Sequence, residues 1–143
     1  MLGWRKNSAA NYLAIYGDSL SQIALAEELI ADFEEGLLKD STLLFDAFVH
    51  ARRYDEALDL GEYLVKTRRN QYWRMARMGW IHAKEGRKDK ARQLLAQLED
   101  LFPKAHYQKA MIQTALGEHA KATKSLIEAF DRGGELLGGR LRL

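Results

Sequence analysis

The sequence GWIHAKEGRKDKA, residues 79–91, shows most clearly a pattern that recurs along this chain. In it Gly86 separates two helix-forming runs, and Ala91 closes the pattern. The pattern occurs earlier as AFVHARRYDEA, residues 47–57, and later as AMIQTALGEHAKA, residues 110–122. With a fainter copy nearer the N-terminus, the closing alanines are Ala24, Ala57, Ala91 and Ala122. A helical pattern that recurs with a period of about 34 residues is typical of a repeat protein built from helical hairpins.

The residues at these spacings resemble the tetratricopeptide repeat family. The middle copy, from Tyr72 to about Lys104, is the most similar, because Met78-Gly79 stands at the family's Leu-Gly pair and Pro103 at its closing proline. The copy before it has Phe45 where the family has a small residue, and the copy after it is slightly shorter. That last copy is also similar, more weakly, to the terminal repeat units of bacterial regulator proteins.

The period and the resemblance together predict an all-α fold, a right-handed α-solenoid of about four helical hairpins. We expect one repeat domain over residues 1–143, with hairpins near 9–35, 38–69, 71–102 and 104–132 and a frayed tail over 133–143. Asp18 or Ser19 is expected to cap a helix, and Arg52-Arg53, Gly86 and Gly117 are expected where hairpins reverse. The expected helices cover residues 9–17, 19–35, 40–51, 54–68, 71–85, 88–101, 104–116 and 119–131.

The composition of the chain is typical of a globular protein without disulfides or membrane spans. With 47% hydrophobic residues, 29% charged residues and one proline, the chain of 143 residues can bury a continuous core and has no low-complexity tract. The absence of cysteine excludes disulfides and thiol chemistry. No apolar run has the length of a signal peptide or of a membrane span, so we expect a cytoplasmic protein that does not enter a membrane.

The net charge of +2 conceals a strong separation of charge along the chain. Residues 18–62 contain twelve acidic and three basic side chains, whereas residues 64–92 contain ten basic and two acidic ones. In a solenoid, segments of sequence are also segments of space, so one end is expected to be acidic and the middle basic. The alternative is that neighbouring hairpins neutralise each other across solvated faces.

The basic segment also carries a regular pattern of tryptophan and cations. Four residues at helical spacing fall within a stripe of roughly 60° on one helix, at about 100° per residue, and they are Trp73, Arg77, Trp80 and Lys84. We call these four residues the binding stripe. The opposite side of this helix carries Met75, Met78, Gly79 and His82, which the resemblance assigns to packing inside the hairpin.

The resemblance further implies that the first helix of each hairpin lines a concave groove, so the binding stripe is expected to face that groove, flanked by Tyr107. Tryptophan beside cations suits a peptide segment with acidic and bulky apolar side chains. The alternative is that Trp73 and Trp80 pack against the first helices of adjacent hairpins. The positions that form a carboxylate clamp in chaperone-binding members of the family do not match, because Asp46, Trp80 and Met111 stand where asparagine is needed.

No pattern in the sequence supports catalysis. The four histidines are scattered over three predicted hairpins, and neither a paired metal-binding motif nor a glycine-rich phosphate loop is present. His82 is expected to be packed in the core. We therefore expect no enzyme activity, no cofactor and no metal.

The sequence leaves three hypotheses for function. The first is a non-catalytic protein–protein interaction module that binds a partner peptide through Trp73, Arg77, Trp80, Lys84 and Tyr107. The second is self-assembly, in which the acidic part of one copy docks on the basic part of another. The third is single-stranded nucleic-acid binding by the basic and aromatic residues 66–77, which the acidic segment beside them disfavours because it repels phosphates.

Overall fold

The computed structural model describes residues 5, 6, 8, 9, 18–37 and 39–136, with side chains described as far as Asp131. All regular secondary structure in this part of the chain is helical, as predicted. The chain divides into two compact units, Met1–Thr67 and Arg68–Leu143. The single repeat domain and its right-handed twist stay predictions, and the helix expected at 9–17 lies, apart from Ala9, outside the described residues.

The first unit contains α1 (Ser19–Glu34), α2 (Ser41–His50) and α3 (Tyr54–Thr67). Its core forms where α1 packs on α2, with Leu29 and Ile30 buried against Leu44 and Ala47. Burial of these side chains supplies the hydrophobic free energy that holds the two helices together. Phe45, which stands where the family has a small residue, is also buried.

Asp18 caps α1, as expected, because the backbone N–H of Ser21 donates a hydrogen bond of 2.8 Å to its carboxylate. This bond holds the pKa of the Asp18 carboxyl below its usual value. Lys6 approaches the same helix further along, and its Nζ lies 2.6 Å from Oδ2 of Asp32. The hydrogen bond to that carboxylate raises the pKa of Lys6.

The second unit contains α4 (Tyr72–Lys84), α5 (Lys88–Leu101), α6 (His106–Ala115) and α7 (His119–Leu136). The helices α4 and α5 form one hairpin, α6 and α7 form the next, and α4 also packs along α6. Gly79 permits that second contact, because a Cβ atom at this position would lie 2.6 Å from Cδ1 of Ile112. In the second hairpin the buried Ser125 hydroxyl donates a 2.8 Å hydrogen bond to Oε1 of Gln113.

The turns inside the three hairpins share one backbone geometry. At each turn a residue with positive φ ends the first helix, and these residues are Arg52, Gly86 and Gly117. The N–H of the following residue donates to a carbonyl one and a half helical turns earlier, for example from Arg87 to His82 at 2.8 Å. This is the Schellman arrangement, which satisfies carbonyls at a helix end. The three turns recur with the same spacing as the closing alanines of the sequence pattern.

The predicted helix limits between residues 19 and 119 agree closely with the structure. The prediction for the end of the last helix is wrong, because α7 continues to Leu136 rather than stopping at residue 131. The tail that was expected to fray begins with Gly133 and Gly134, which lie within α7. A glycine inside a helix costs about 1 kcal/mol relative to alanine but keeps its backbone N–H, so the helix can pass through the pair.

Candidate functional site

The helix α4 presents two contrasting faces. Met75 and Met78 are buried, and so is His82, as predicted for the packing side. Trp73 is 49% exposed, and Lys84 is exposed as well, whereas Arg77 and Trp80 are half-buried. The apolar periodicity that builds the hairpin therefore leaves the binding stripe, in whole or in part, in contact with solvent.

Three residues of the binding stripe form one cluster around Trp80. The guanidinium carbon of Arg77 lies 5.4 Å from the centroid of the Trp80 ring, and Nζ of Lys84 lies 4.7 Å from it. Both distances are typical of cation–π contacts, in which the ring quadrupole attracts the cation. We call Arg77, Trp80 and Lys84 the Trp80 cluster.

The other two predicted residues lie apart from this cluster. Trp73 is beside Tyr72, with ring centroids 6.4 Å apart. Tyr107 lies on α6 and is 53% exposed. Within the part of the chain that the structure describes, no ring contact joins Tyr107 to Trp73. The five predicted residues therefore form a cluster of three, with two separate exposed aromatic rings.

A cleft of about 520 Å³ lies at the junction of α5 and α6 and is lined by Tyr72, residues 101–105 and Gln108. We call it the junction cleft. Tyr72 and Phe102 meet edge to face, with ring centroids 5.4 Å apart. The sequence patterns did not predict this cleft. Two features of the sequence could have indicated the cleft. Pro103 marks the junction between α5 and α6, and aromatic residues stand at the two ends of the preceding hairpin, Tyr72 and Phe102.

Comparison with known families identifies the repeat. Residues 48–114, which run from α2 into α6, match the family model described as tetratricopeptide repeat. These residues are tetratricopeptide repeats. Comparison with curated proteins and with solved structures gives no match. The tetratricopeptide repeat family typically serves as a non-catalytic module for protein–protein interaction.

The tetratricopeptide repeat register explains where two histidines lie. His82 is buried, and Nε of Arg87 donates a 2.9 Å hydrogen bond to its Nδ1, so that this ring nitrogen carries no proton. His106 is buried at the position of the next tetratricopeptide repeat that corresponds to Met75, and its Nδ1 is 3.2 Å from a carboxylate oxygen of Glu128. Both rings therefore fill core positions of their repeats.

The described residues contain no group of three or more histidine, aspartate or glutamate side chains that could hold a metal ion. None of the helices between Ser19 and Leu136 is long and apolar enough to cross a membrane. The cytoplasmic location of the protein stays a prediction.

Proposed function

We propose that the protein captures a peptide segment of a partner protein in the concave groove of its tetratricopeptide repeats, acting as an adaptor, scaffold or chaperone-like protein. The captured segment carries acidic and bulky apolar side chains. The observation that carries this proposal is the Trp80 cluster, in which two cations lie against the ring of one half-buried tryptophan. A fold does not determine a function, so this cluster, and not the repeat alone, supports binding of such a segment.

The chemistry of the Trp80 cluster suits a segment with acidic residues. A cation that lies over an aromatic ring keeps N–H donors that can reach a carboxylate. Tryptophan and arginine are also the residues that contribute most often to binding energy at protein interfaces. Trp73, half exposed one helical turn before Arg77, provides an apolar surface for a bulky side chain of the same segment.

The proposal is tested by reversing the two charges of the Trp80 cluster. Peptides selected from a random display library against the wild-type chain should be rich in aspartate or glutamate next to tryptophan, phenylalanine or leucine. Arg77→Glu with Lys84→Glu should weaken binding of a selected peptide at least about tenfold, because each charged contact contributes roughly 1–3 kcal/mol when desolvated. Fluorescence anisotropy with a labelled peptide measures the change, and Trp73→Ala should weaken binding further.

The matched control is Lys88→Glu with Lys90→Glu, which makes the same change of charge at two exposed lysines of α5. This control should bind the peptide as the wild type does, apart from a small long-range effect of charge. If the Arg77 and Lys84 variant loses its helical circular dichroism, the binding stripe is part of the core. If that variant folds and binds normally, the peptide site lies elsewhere.

A second candidate function is self-assembly, favoured by the separation of charge between residues 18–62 and residues 64–92. Among the described residues of the first unit, Arg53 pairs with Glu27 at 3.2 Å and with Glu56 at 2.7 Å, and Lys6 pairs with Asp32 at 2.6 Å. Exposed acidic side chains such as Glu62 would then be available to the basic residues of another copy.

Single-stranded nucleic acid is the third candidate, and the acidic residues 18–62 disfavour it because they repel phosphates. The basic segment 66–77 carries two rings on which bases could stack, the exposed Trp73 and the half-buried Tyr72. Binding of an oligonucleotide should weaken steeply with salt if it occurs at all.

A further inference from the structure

The helix α7 carries an apolar patch on its solvent side. Leu126 is 45% exposed, Ile127 is 58% exposed and Phe130 is 47% exposed. At about 100° per residue these three side chains lie within about 100° of one another around the helix. The buried side of the helix, which includes Ala122 and Ala129, packs on α6. We call Leu126, Ile127 and Phe130 the α7 face.

The preceding repeat shows that packing between hairpins does not explain most of this patch. With the closing alanines aligned, Ala96 and Glu99 of α5 correspond to Ile127 and Phe130 of α7. The helix α5 is followed by a hairpin and contacts α6, yet Ala96 and Glu99 are both exposed. A hairpin stacked on α7 in the same way would therefore leave Ile127 and Phe130 in solvent. Neighbouring exposed apolar side chains that the fold does not need are typical of an interaction surface.

A cation and an anion lie along one edge of the α7 face. Lys124 and Asp131 are both exposed and stand about two helical turns apart, beside Ile127 around the helix. Among the described residues neither of them forms an ion pair, whereas Lys121 pairs with Glu118 at 3.3 Å. Both charges are therefore available to a partner that approaches the α7 face.

We propose that the α7 face binds the α7 face of a second copy of the chain, with the two helices antiparallel. The two-fold axis of such a pair brings the same edge of both helices together in opposite directions. Lys124 of each copy then lies opposite Asp131 of the other, and Ile127 and Phe130 pack between the helices. In a parallel pair, Lys124 would face Lys124 and Asp131 would face Asp131, and these like charges would repel each other.

The charges of α7 favour a second copy over other occupants. The helix contains three basic and three acidic residues, so it has no net charge. Two copies therefore approach without net repulsion at this helix, whereas an anionic lipid surface or a nucleic acid finds no excess of cations there. The order of Lys124 before Asp131 complements its own reversed copy, which is the arrangement that a two-fold axis generates.

Sedimentation equilibrium of the full chain tests dimerisation. Three half-exposed side chains per copy bury less than the roughly 1,200–2,000 Å² of a stable interface, so the measurement extends to about 1 mM protein. The wild type should form a dimer that persists at about 500 mM salt, since salt does not screen apolar contacts. Ile127→Ser with Phe130→Ser should raise the Kd of the dimer at least about tenfold. The matched control, Leu101→Ser, removes an apolar side chain of α5 that is 53% exposed and should dimerise as the wild type does.

Reversal of the two charges tests the antiparallel arrangement. Lys124→Glu alone and Asp131→Lys alone should each dimerise several-fold more weakly at about 0.1 M salt, because each change places like charges opposite one another twice in the dimer. The double variant, Lys124→Glu with Asp131→Lys, exchanges the two charges and should dimerise as the wild type does. Lys90→Glu makes the same change of charge at an exposed lysine of α5 and should have no effect on the dimer.

The proposal is overturned if the wild type stays monomeric at about 1 mM protein. A monomer would leave the α7 face to residues 137–143 or to another protein. Dimerisation of Ile127→Ser with Phe130→Ser at the wild-type Kd would also overturn it, and single charge variants with that Kd would overturn the antiparallel arrangement. Arg77→Glu with Lys84→Glu should leave dimerisation unchanged, because neither residue lies on α7. Failure of the dimer and failure of peptide capture are therefore distinguished by separate measurements.

Discussion

At the scale of single residues, Arg52 is the exception among the hairpin turns. Its φ of 62° lies in the left-handed region, where the two equivalent positions have Gly86 and Gly117. This conformation costs a residue with a Cβ atom roughly 1–2 kcal/mol, because Cβ approaches the following carbonyl oxygen. The turn forms nonetheless, since its two backbone hydrogen bonds, from Arg52 to Val49 and from Arg53 to Phe48, satisfy the end of α2.

We therefore predict that Arg52→Gly stabilises the protein by about 0.5–1 kcal/mol, the relief of Cβ strain exceeding the greater entropy of glycine in the unfolded chain. Urea unfolding followed by circular dichroism measures this change. The exposed 3.2 Å bond from Arg52 to the Ser19 hydroxyl is lost as well, so Arg52→Lys and Arg52→Ala are the controls for that loss. The converse change, Gly86→Ala, should destabilise the protein by about 1 kcal/mol. If neither Arg52→Gly nor Gly86→Ala changes the stability, positive φ causes no strain at these turns.

Single-residue features were predictable from the sequence where one residue type suffices to specify the geometry. Gly86 and Gly117 mark helix ends because glycine tolerates positive φ, and Asp18 marks a helix start because its carboxylate can accept a backbone N–H. The left-handed conformation of Arg52 was not predictable, because only the hydrogen bonds of the turn impose it.

At the scale of elements, the contact between α4 and α6 depends on the missing side chain of Gly79. A Cβ atom there would lie 2.6 Å from Cδ1 and 2.7 Å from Cγ1 of Ile112, closer than such atoms approach in proteins. Ile112 is fully buried, so its side chain has little room to move away. The sequence places Gly79 at a packing position of the repeat, but the identity of its neighbour required the structure.

We predict that Gly79→Ala destabilises the protein by roughly 1–2 kcal/mol. The added methyl overpacks the contact by about 1–3 kcal/mol, which outweighs the roughly 0.5–1 kcal/mol that alanine contributes to a helix. In an Ile112→Ala background the close atoms are gone, so the same change should stabilise by about 0.5–1 kcal/mol. Urea unfolding of the four proteins gives the sign in each background, and stabilisation in both would show that the helices do not pack closely at this point.

Element limits were predictable where an apolar period meets a helix-ending residue, and this covers α1 to α6. The prediction failed at the end of α7, where the helix continues through Gly133 and Gly134, because a glycine backbone can continue a helix. The binding stripe was predictable as a spacing of residues on α4, whereas the contacts of Arg77 and Lys84 with Trp80 depend on side-chain conformation. The junction cleft arises from residues 101–105 between two helices, and helical periodicity contains no information about such a segment.

At the scale of the whole molecule, two segments of the sequence carry opposite net charges. A test of salt dependence can therefore show whether the protein binds a second copy of itself through these segments. Residues 18–62 have a net charge of −9, from twelve acidic and three basic side chains. Residues 64–92 have a net charge of +8, from ten basic and two acidic ones. Exposed charges attract each other over roughly 10 Å at about 0.1 M salt, so any association they cause must weaken as salt rises.

The last prediction follows from this screening. If self-assembly through these segments occurs, the mass measured by analytical ultracentrifugation should fall towards that of the monomer between about 50 mM and about 500 mM salt. Glu34→Gln with Glu35→Gln removes two exposed acidic charges of the first unit, so the fall in mass should occur at a lower salt concentration. The control, Glu99→Gln with Asp100→Asn, removes two exposed acidic charges outside the acidic segment and should leave the salt dependence unchanged. A monomer at every salt concentration would exclude this mode of assembly and leave the basic residues of α4 to a partner protein. An association that persists at about 500 mM salt would have to arise from apolar contacts. Substitution of the exposed Ile127 and Phe130 on α7 would then test whether these side chains form the contact.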